Sequence, residues 1–142
     1  AARERAGVVL MSSLSSRRGA PLVATYAASK AYLAILAESL WDELAPIGVD
    51  VLGVLPGSTR TPGWLSSLPQ AGMGTAMVME PDDVVAEALD VLGTGVPTLV
   101  PGEQNRESEQ LLETMSRADA VRMVGQVMRD MYPDEREVDT TV

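Results

Sequence analysis

Tyr26 and Lys30 stand four residues apart in the stretch Tyr26-Ala27-Ala28-Ser29-Lys30, a spacing that stacks two side chains on one face of a helix. A phenol titrates near pH ~10 when unperturbed, so it exchanges a proton near neutrality only beside a positive charge. A lysine one turn away supplies such a charge. The pair alone is equally compatible with an exposed lysine beside a packed aromatic. Two further groups keep it company. Ser12-Ser13 follow directly on the apolar run Gly7-Val8-Val9-Leu10-Met11, and Ser13 lies thirteen residues before Tyr26. Pro56-Gly57-Ser58-Thr59-Arg60-Thr61 follows a second apolar run; its glycine permits close backbone approach and its Thr61 offers a hydroxyl to a ligand. Each has a plainer reading, the serines and Pro56-Gly57 as turn residues and Thr61 as a helix cap. Their joint occurrence in this order points to one site.

These groups need elements that converge on one edge. Gly7 to Met11 is an unbroken apolar run, suited to a parallel strand buried on both faces. Ser12 to Pro21 is small and polar, a loop. Val23 to Ala45 holds good helix formers and stops at Pro46 and Gly48, which predicts one long helix. Its first half, Ala27 to Ala37, is apolar or small almost all round, so cover on more than one face is expected. Val49 to Leu55 is a second β-branched run, and strand, helix and strand together make a parallel βαβ unit. Serines and threonines at the carboxyl ends of its strands lie where open α/β sheets place their ligands.

Beyond Thr61 comes a stretch rich in glycine and proline to Met79, a mobile loop with a short helix near Trp64. Glu80-Pro81-Asp82-Asp83 opens another helix, with proline and acidic groups where a first turn accepts them. Val84, Val85, Ala88, Leu89 and Leu92 form its apolar stripe, Gly93 and Gly95 end it, and Pro97 to Val100 is a third strand with proline at its start. Leu111, Leu112, Met115, Val121, Val124, Val127, Met128 and Met131 then spread over two helices meeting near Ser116. An acidic tail, 133–142, is expected to be disordered. The expected fold class is α/β: a partial, Rossmann-like parallel sheet of three strands with crossover helices, followed by C-terminal helices.

Composition removes several functions. The chain has 142 residues, 46% of them hydrophobic, enough for one domain and too few for two. A net charge of -9 offers no footprint for nucleic acid or an anionic lipid surface. With no histidine there is no Ser-His-Asp triad and no histidine-ligated metal; with no cysteine there is no thiolate chemistry. A serine hydrolase built on Ser12 or Ser13 would need Lys30, the chain's one lysine, which Tyr26 accounts for better. No apolar run approaches the roughly 18 to 20 residues of a membrane span, so the chain reads as soluble.

The apolar strand with Ser12-Ser13, the Tyr26-to-Lys30 motif, the Ala-rich helix and the Pro56-Gly57 turn with Thr61 together resemble the short-chain dehydrogenase/reductase family, strongly over Gly7 to Thr61. The resemblance implies hydride transfer between a nicotinamide, NAD or NADP, and a carbonyl or alcohol. Tyr26 would be the acid or base at the reacting oxygen and Ser13 would hold that oxygen. Lys30 would favour the phenolate of Tyr26 and bind the nicotinamide ribose. Pro56, Gly57, Thr59 and Thr61 would line the nicotinamide, with Ser12 structural. A substrate loop would fall at 62–79, with Trp64, Leu65, Leu68, Met73 and Met77 as apolar lining or simply as packing of the loop. A homodimer or homotetramer through helix 23–45 is implied, and no metal.

The family's Gly-rich phosphate turn, its Asn-Ala-Gly stretch and its helical asparagine have no counterpart here. By resemblance these residues form the C-terminal part of such a domain, with the last three of seven parallel strands and with one edge of Gly7–Met11 unpaired. The expectation is therefore a fragment of an oxidoreductase. The alternative is a truncated, non-enzymatic dimerisation module that retains the motif.

Overall fold

The computed structural model describes residues 6–67 and 77–133. Within them, strand β1 (Ala6–Met11) leads through a short 3-10 turn, Leu14–Arg17, into helix α1 (Ala24–Leu44), and strand β2 (Val49–Val54) follows. Then come α2 (Pro62–Ser66), α3 (Pro81–Val91), strand β3 (Thr98–Leu99), α4 (Glu103–Glu113) and α5 (Arg117–Met131). The three strands form one parallel sheet in the order β1-β2-β3, with Ala6 opposite Val49 and Met11 opposite Val54. Two parallel neighbours joined by a 21-residue helix are the βαβ unit that the two apolar runs predict.

Leu52 and Val54 point to one side of β2 and join Val84 and Ala88 of α3 in the core, with Val9, Val91, Leu92 and Leu99 packed around them. Gly53 points the other way, as strand alternation requires, and a Cβ there would lie 2.8 Å from the Cβ of Ala37. The missing side chain lets α1 settle directly on the strand, and Ala37 is fully buried. Helices thus cover both faces of β2. The third strand is shorter than Pro97–Val100: Pro97 stands before it and still accepts a hydrogen bond from the Gly53 N–H at 2.9 Å. Leu55 N–H donates to the Leu99 carbonyl at 2.8 Å.

One burial expectation is corrected. β1 is not buried on both faces, since Val8 is 37% and Met11 44% exposed. It is the end strand of this sheet, and α1 sits chiefly over β2, so apolar content alone does not bury it. The sheet covers one face of α1. Ala27, Ala34 and Ala37 face the sheet, whereas Tyr32 and Ile35 on the opposite side are 67% and 63% exposed.

The helix ends follow their local chemistry. Pro46 sits in a terminal 3-10 turn, Ala45–Ile47, which Gly48 closes in the left-handed conformation at φ 78°. Ser116 caps α5 by accepting the Asp119 N–H at 3.2 Å. None of the described helices is long and apolar enough to cross a membrane. The expected disordered tail lies outside the described residues from 134 onward.

Candidate active site

At the carboxyl end of β1 the chain is stitched to both neighbouring elements. The Ser12 N–H donates to the Val54 carbonyl at 2.8 Å and the Leu14 N–H to the Pro56 carbonyl at 2.9 Å, so Ser13 is held between two bonds to the end of β2. Ser12 spends its hydroxyl on the Lys30 carbonyl at 2.7 Å. The Lys30 ammonium donates to the Met11 carbonyl at 3.0 Å and lies 5.6 Å from the centroid of the Tyr26 ring. The helical spacing thus brings phenol and ammonium together, and the Lys30 bond to Met11 ties the lysine to the strand end that carries Ser13.

Ser13 is 8% exposed and caps the 3-10 turn, its Oγ accepting the Ser15 N–H at 3.2 Å. An accepting hydroxyl keeps its own proton for a ligand oxygen. Tyr26 is 48% exposed and lines an open depression of about 440 Å³ with Leu22, Val23, Ala24 and Thr25. Leu22, just before α1, has φ 68°, a left-handed conformation that a leucine adopts only under constraint.

The second strand end forms a turn that doubles back. Thr59 bridges Met79, with Met79 N–H donating to Ser58 O at 3.0 Å and Arg60 N–H to Met79 O at 2.9 Å. The Thr59 hydroxyl donates to the Gly57 carbonyl at 3.2 Å. Thr61 caps α2, accepting the Trp64 N–H at 3.2 Å, which is the plainer of its two readings and leaves its proton unspent in that bond. Trp64 is half-buried and Leu65 is 49% exposed. Met77 lines a second depression, about 200 Å³, with Met79, Gly102 and Asn105, so it does not share the Tyr26 depression. Leu68 and Met73 lie outside the described residues.

Three residues without a sequence signal bind these loops together. Asn105 is 4% exposed, donates to the Pro101 carbonyl at 2.8 Å, and backs Gly57 so closely that a Cβ there would sit 2.5 Å from its Oδ1. Glu109, one turn further along α4, is 6% exposed and pairs with Arg18 at 2.6 Å. Their four-residue spacing marks one helix face, yet in the polar run Glu103-Gln104-Asn105-Arg106-Glu107-Ser108-Glu109 nothing local tells that face from the solvated one.

The donor set suits the nicotinamide end of a dinucleotide. Lys30 is only partly exposed and carries three N–H donors, of which Met11 takes one, so two remain for a ribose diol. Ser13 brings a hydroxyl proton to that strand end, and Tyr26 stands beside the lysine anchored there.

A family model described as short chain dehydrogenase matches residues 1–71. A 7beta-hydroxysteroid dehydrogenase of Clostridium sardiniense is 35% identical over 129 residues, covering 91% of this chain and 49% of that protein. The corresponding enzyme of Collinsella aerofaciens is 31% identical over 134 residues, 92% of this chain and 51% of its own length. This chain therefore spans about half the length of these relatives. Among solved structures, a 7beta-hydroxysteroid dehydrogenase superposes with a TM-score of 0.73 at 28% identity, over 83% of this chain and 47% of the other. A short chain dehydrogenase of Burkholderia cenocepacia in complex with NADP gives 0.68 at 26% identity, over 84% and 47%. The family model, the sequence identities and the superpositions agree, and the chain belongs to the short-chain dehydrogenase family.

Proposed function

We propose that this chain carries the acid-base half of an NAD- or NADP-dependent oxidoreductase that interconverts a secondary alcohol and a ketone on a bulky apolar scaffold, with a hydroxysteroid as the first substrate class to test. One observation carries the reading: the Lys30 ammonium, 5.6 Å from the Tyr26 ring, is anchored to the Met11 carbonyl two residues before Ser13. The relatives named as hydroxysteroid dehydrogenases support the substrate class.

When bound, the nicotinamide supplies hydride to the carbonyl carbon or takes it from the alcohol carbon. In the reductive direction the Tyr26 hydroxyl gives its proton to the carbonyl oxygen as that oxygen gains negative charge, and the Ser13 hydroxyl donates a hydrogen bond to the same oxygen. Lys30, with its two remaining donors, holds the ribose hydroxyls and favours the transient tyrosinate. In the oxidative direction tyrosinate takes the alcohol proton, and solvent restores the starting state. Pro56, Gly57, Thr59 and Thr61 would line the nicotinamide, and Trp64 and Leu65 would contribute apolar lining for the substrate, while Met77 lines the separate depression beside Asn105. The exposed Tyr32 and Ile35 on α1 support self-association through this helix, as a dimer or tetramer. Use of a nicotinamide pool fits a cytoplasmic location.

The test follows nicotinamide absorbance with a 7β-hydroxysteroid and either NAD or NADP, for the wild-type protein and Tyr26→Phe. Removing the general acid-base group is expected to lower kcat by about 10²–10⁴-fold. Turnover that survives Tyr26→Phe unchanged refutes the assignment; cofactor that binds a longer product carrying these residues but not the 142 residues alone marks them as a fragment, and cofactor that binds neither favours a non-enzymatic module.

A further inference from the structure

A largely buried ion pair joins the segment after Ser13 to α4. The side chains of Arg18 and Glu109 are 9% and 7% exposed, and Arg18 Nη1 lies 2.6 Å from Glu109 Oε2 across 91 residues of sequence. Arg17 Nε stands 3.7 Å from the other carboxylate oxygen, and the Arg17 carbonyl accepts a hydrogen bond from Arg117 Nη1 at 3.1 Å. Both arginines belong to the short segment that begins with Ser13. Its 3-10 turn, Leu14–Arg17, is pinned at the start by the Leu14 N–H on Pro56 and at the end by the two arginines on α4 and α5.

A buried ion pair is a poor source of stability, because desolvating two charges offsets their attraction. What it provides is a fixed geometry, since either charge left without the other is strongly disfavoured. Here that geometry is imposed on the turn whose first cap is Ser13, whose Oγ position decides whether a carbonyl oxygen meets a donor.

We infer that Glu109 is a positioning residue for the reaction: through its buried pair with Arg18 it fixes the turn that carries Ser13, and so the hydroxyl that holds the reacting oxygen. The inference rests on the acid-base reading of Ser13 and Tyr26 given above. It also assigns work to α4, a helix for which the sequence suggests none.

The experiment compares Glu109→Gln, Arg18→Met and the double variant Arg18→Met/Glu109→Leu with the wild-type protein and Tyr26→Phe, measuring kcat, KM and Tm with a 7β-hydroxysteroid and its cofactor. Glu109→Gln leaves Arg18 without its carboxylate, and Arg18→Met leaves Glu109 only the longer 3.7 Å pairing with Arg17; each is expected to lower both Tm and kcat. The double variant removes both members of the tight pair and leaves only Arg17, whose side chain is 33% exposed and can turn to solvent, so it is expected to recover Tm to within about 3 °C of wild type. Its kcat is expected to stay at least about tenfold low with KM within about twofold, because a displaced donor fails chiefly in the transition state. Recovery of kcat together with Tm overturns the inference and leaves the pair purely structural. Should the single variants fail to fold, the double variant decides alone. Absence of Tyr26-dependent turnover in the wild-type protein overturns the acid-base reading, and this inference with it; normal Tyr26 dependence with an unimpaired double variant overturns the inference only.

Discussion

Replacing Gly57 with alanine tests whether the turn after β2 is set by α4. The added Cβ would stand 2.5 Å from Asn105 Oδ1, 2.9 Å from its Cγ and 3.0 Å from its Nδ2, where ordinary contact begins at 3.4 Å. Asn105 has little freedom to yield, being 4% exposed with its Nδ2 on the Pro101 carbonyl at 2.8 Å. If it rotates, the carbonyl of the fully buried Pro101 loses its partner, at about 1–3 kcal/mol. If instead the turn shifts, the overpacking costs about the same. Gly57 is not among the residues with positive φ, so alanine meets no backbone penalty. At an unconstrained site the change would stabilise by about 0.4–1 kcal/mol through the unfolded chain. The sign is therefore diagnostic. We expect Gly57→Ala to destabilise by about 1–3 kcal/mol, a fall of about 1 M in the urea midpoint followed by circular dichroism. In an Asn105→Ala background, where the obstructing amide is gone, the same substitution is expected to cost less than about 0.5 kcal/mol. A Gly57→Ala variant as stable as the parent, or an equal cost in both backgrounds, would refute the close approach.

The start of α5 should respond to pH. The Ser116 hydroxyl at 2.6 Å and the Arg122 guanidinium at 2.7 Å hold the Asp119 carboxyl below the usual carboxylate range. A depressed native value means this contribution is present above the unfolded carboxylate's titration and fades as pH falls through the native one. Asp119→Asn is thus expected to be less stable than wild type at neutral pH, with the two melting curves converging in acid; a gap that is independent of pH would contradict this. Leu22→Asn, at a left-handed residue 62% exposed, should stabilise by about 0.5–1 kcal/mol in the same urea assay, since asparagine tolerates that conformation and little packing is lost. A loss of stability would show that the leucine side chain earns its place.

Legibility in the sequence followed the range of each interaction. Apolar runs and the stops at Pro46, Gly48 and Pro56 predict β1, α1 and β2 to within about two residues, because strand and helix signals are written in neighbours. The same local periodicity places Tyr26 and Lys30 on one helix face and Ser13 at a strand end. Burial was less legible. The unbroken run in β1 reads as a covered strand, but cover depends on which neighbour lies across the sheet edge, and Val8 and Met11 are exposed here.

By itself, then, the sequence determined the order of elements and the placing of Tyr26 and Lys30 on one helix face, since both depend on spacings within a turn or two of backbone. Tertiary structure alone decided what holds them. The bond from Lys30 to Met11 spans 19 residues, and Gly57 meets Asn105 on a helix that begins after the third strand. Arg18 finds Glu109 across 91 residues. Such contacts leave no local pattern, because a buried glutamate and a solvated one are the same residue in the same polar run until the chain closes around one of them.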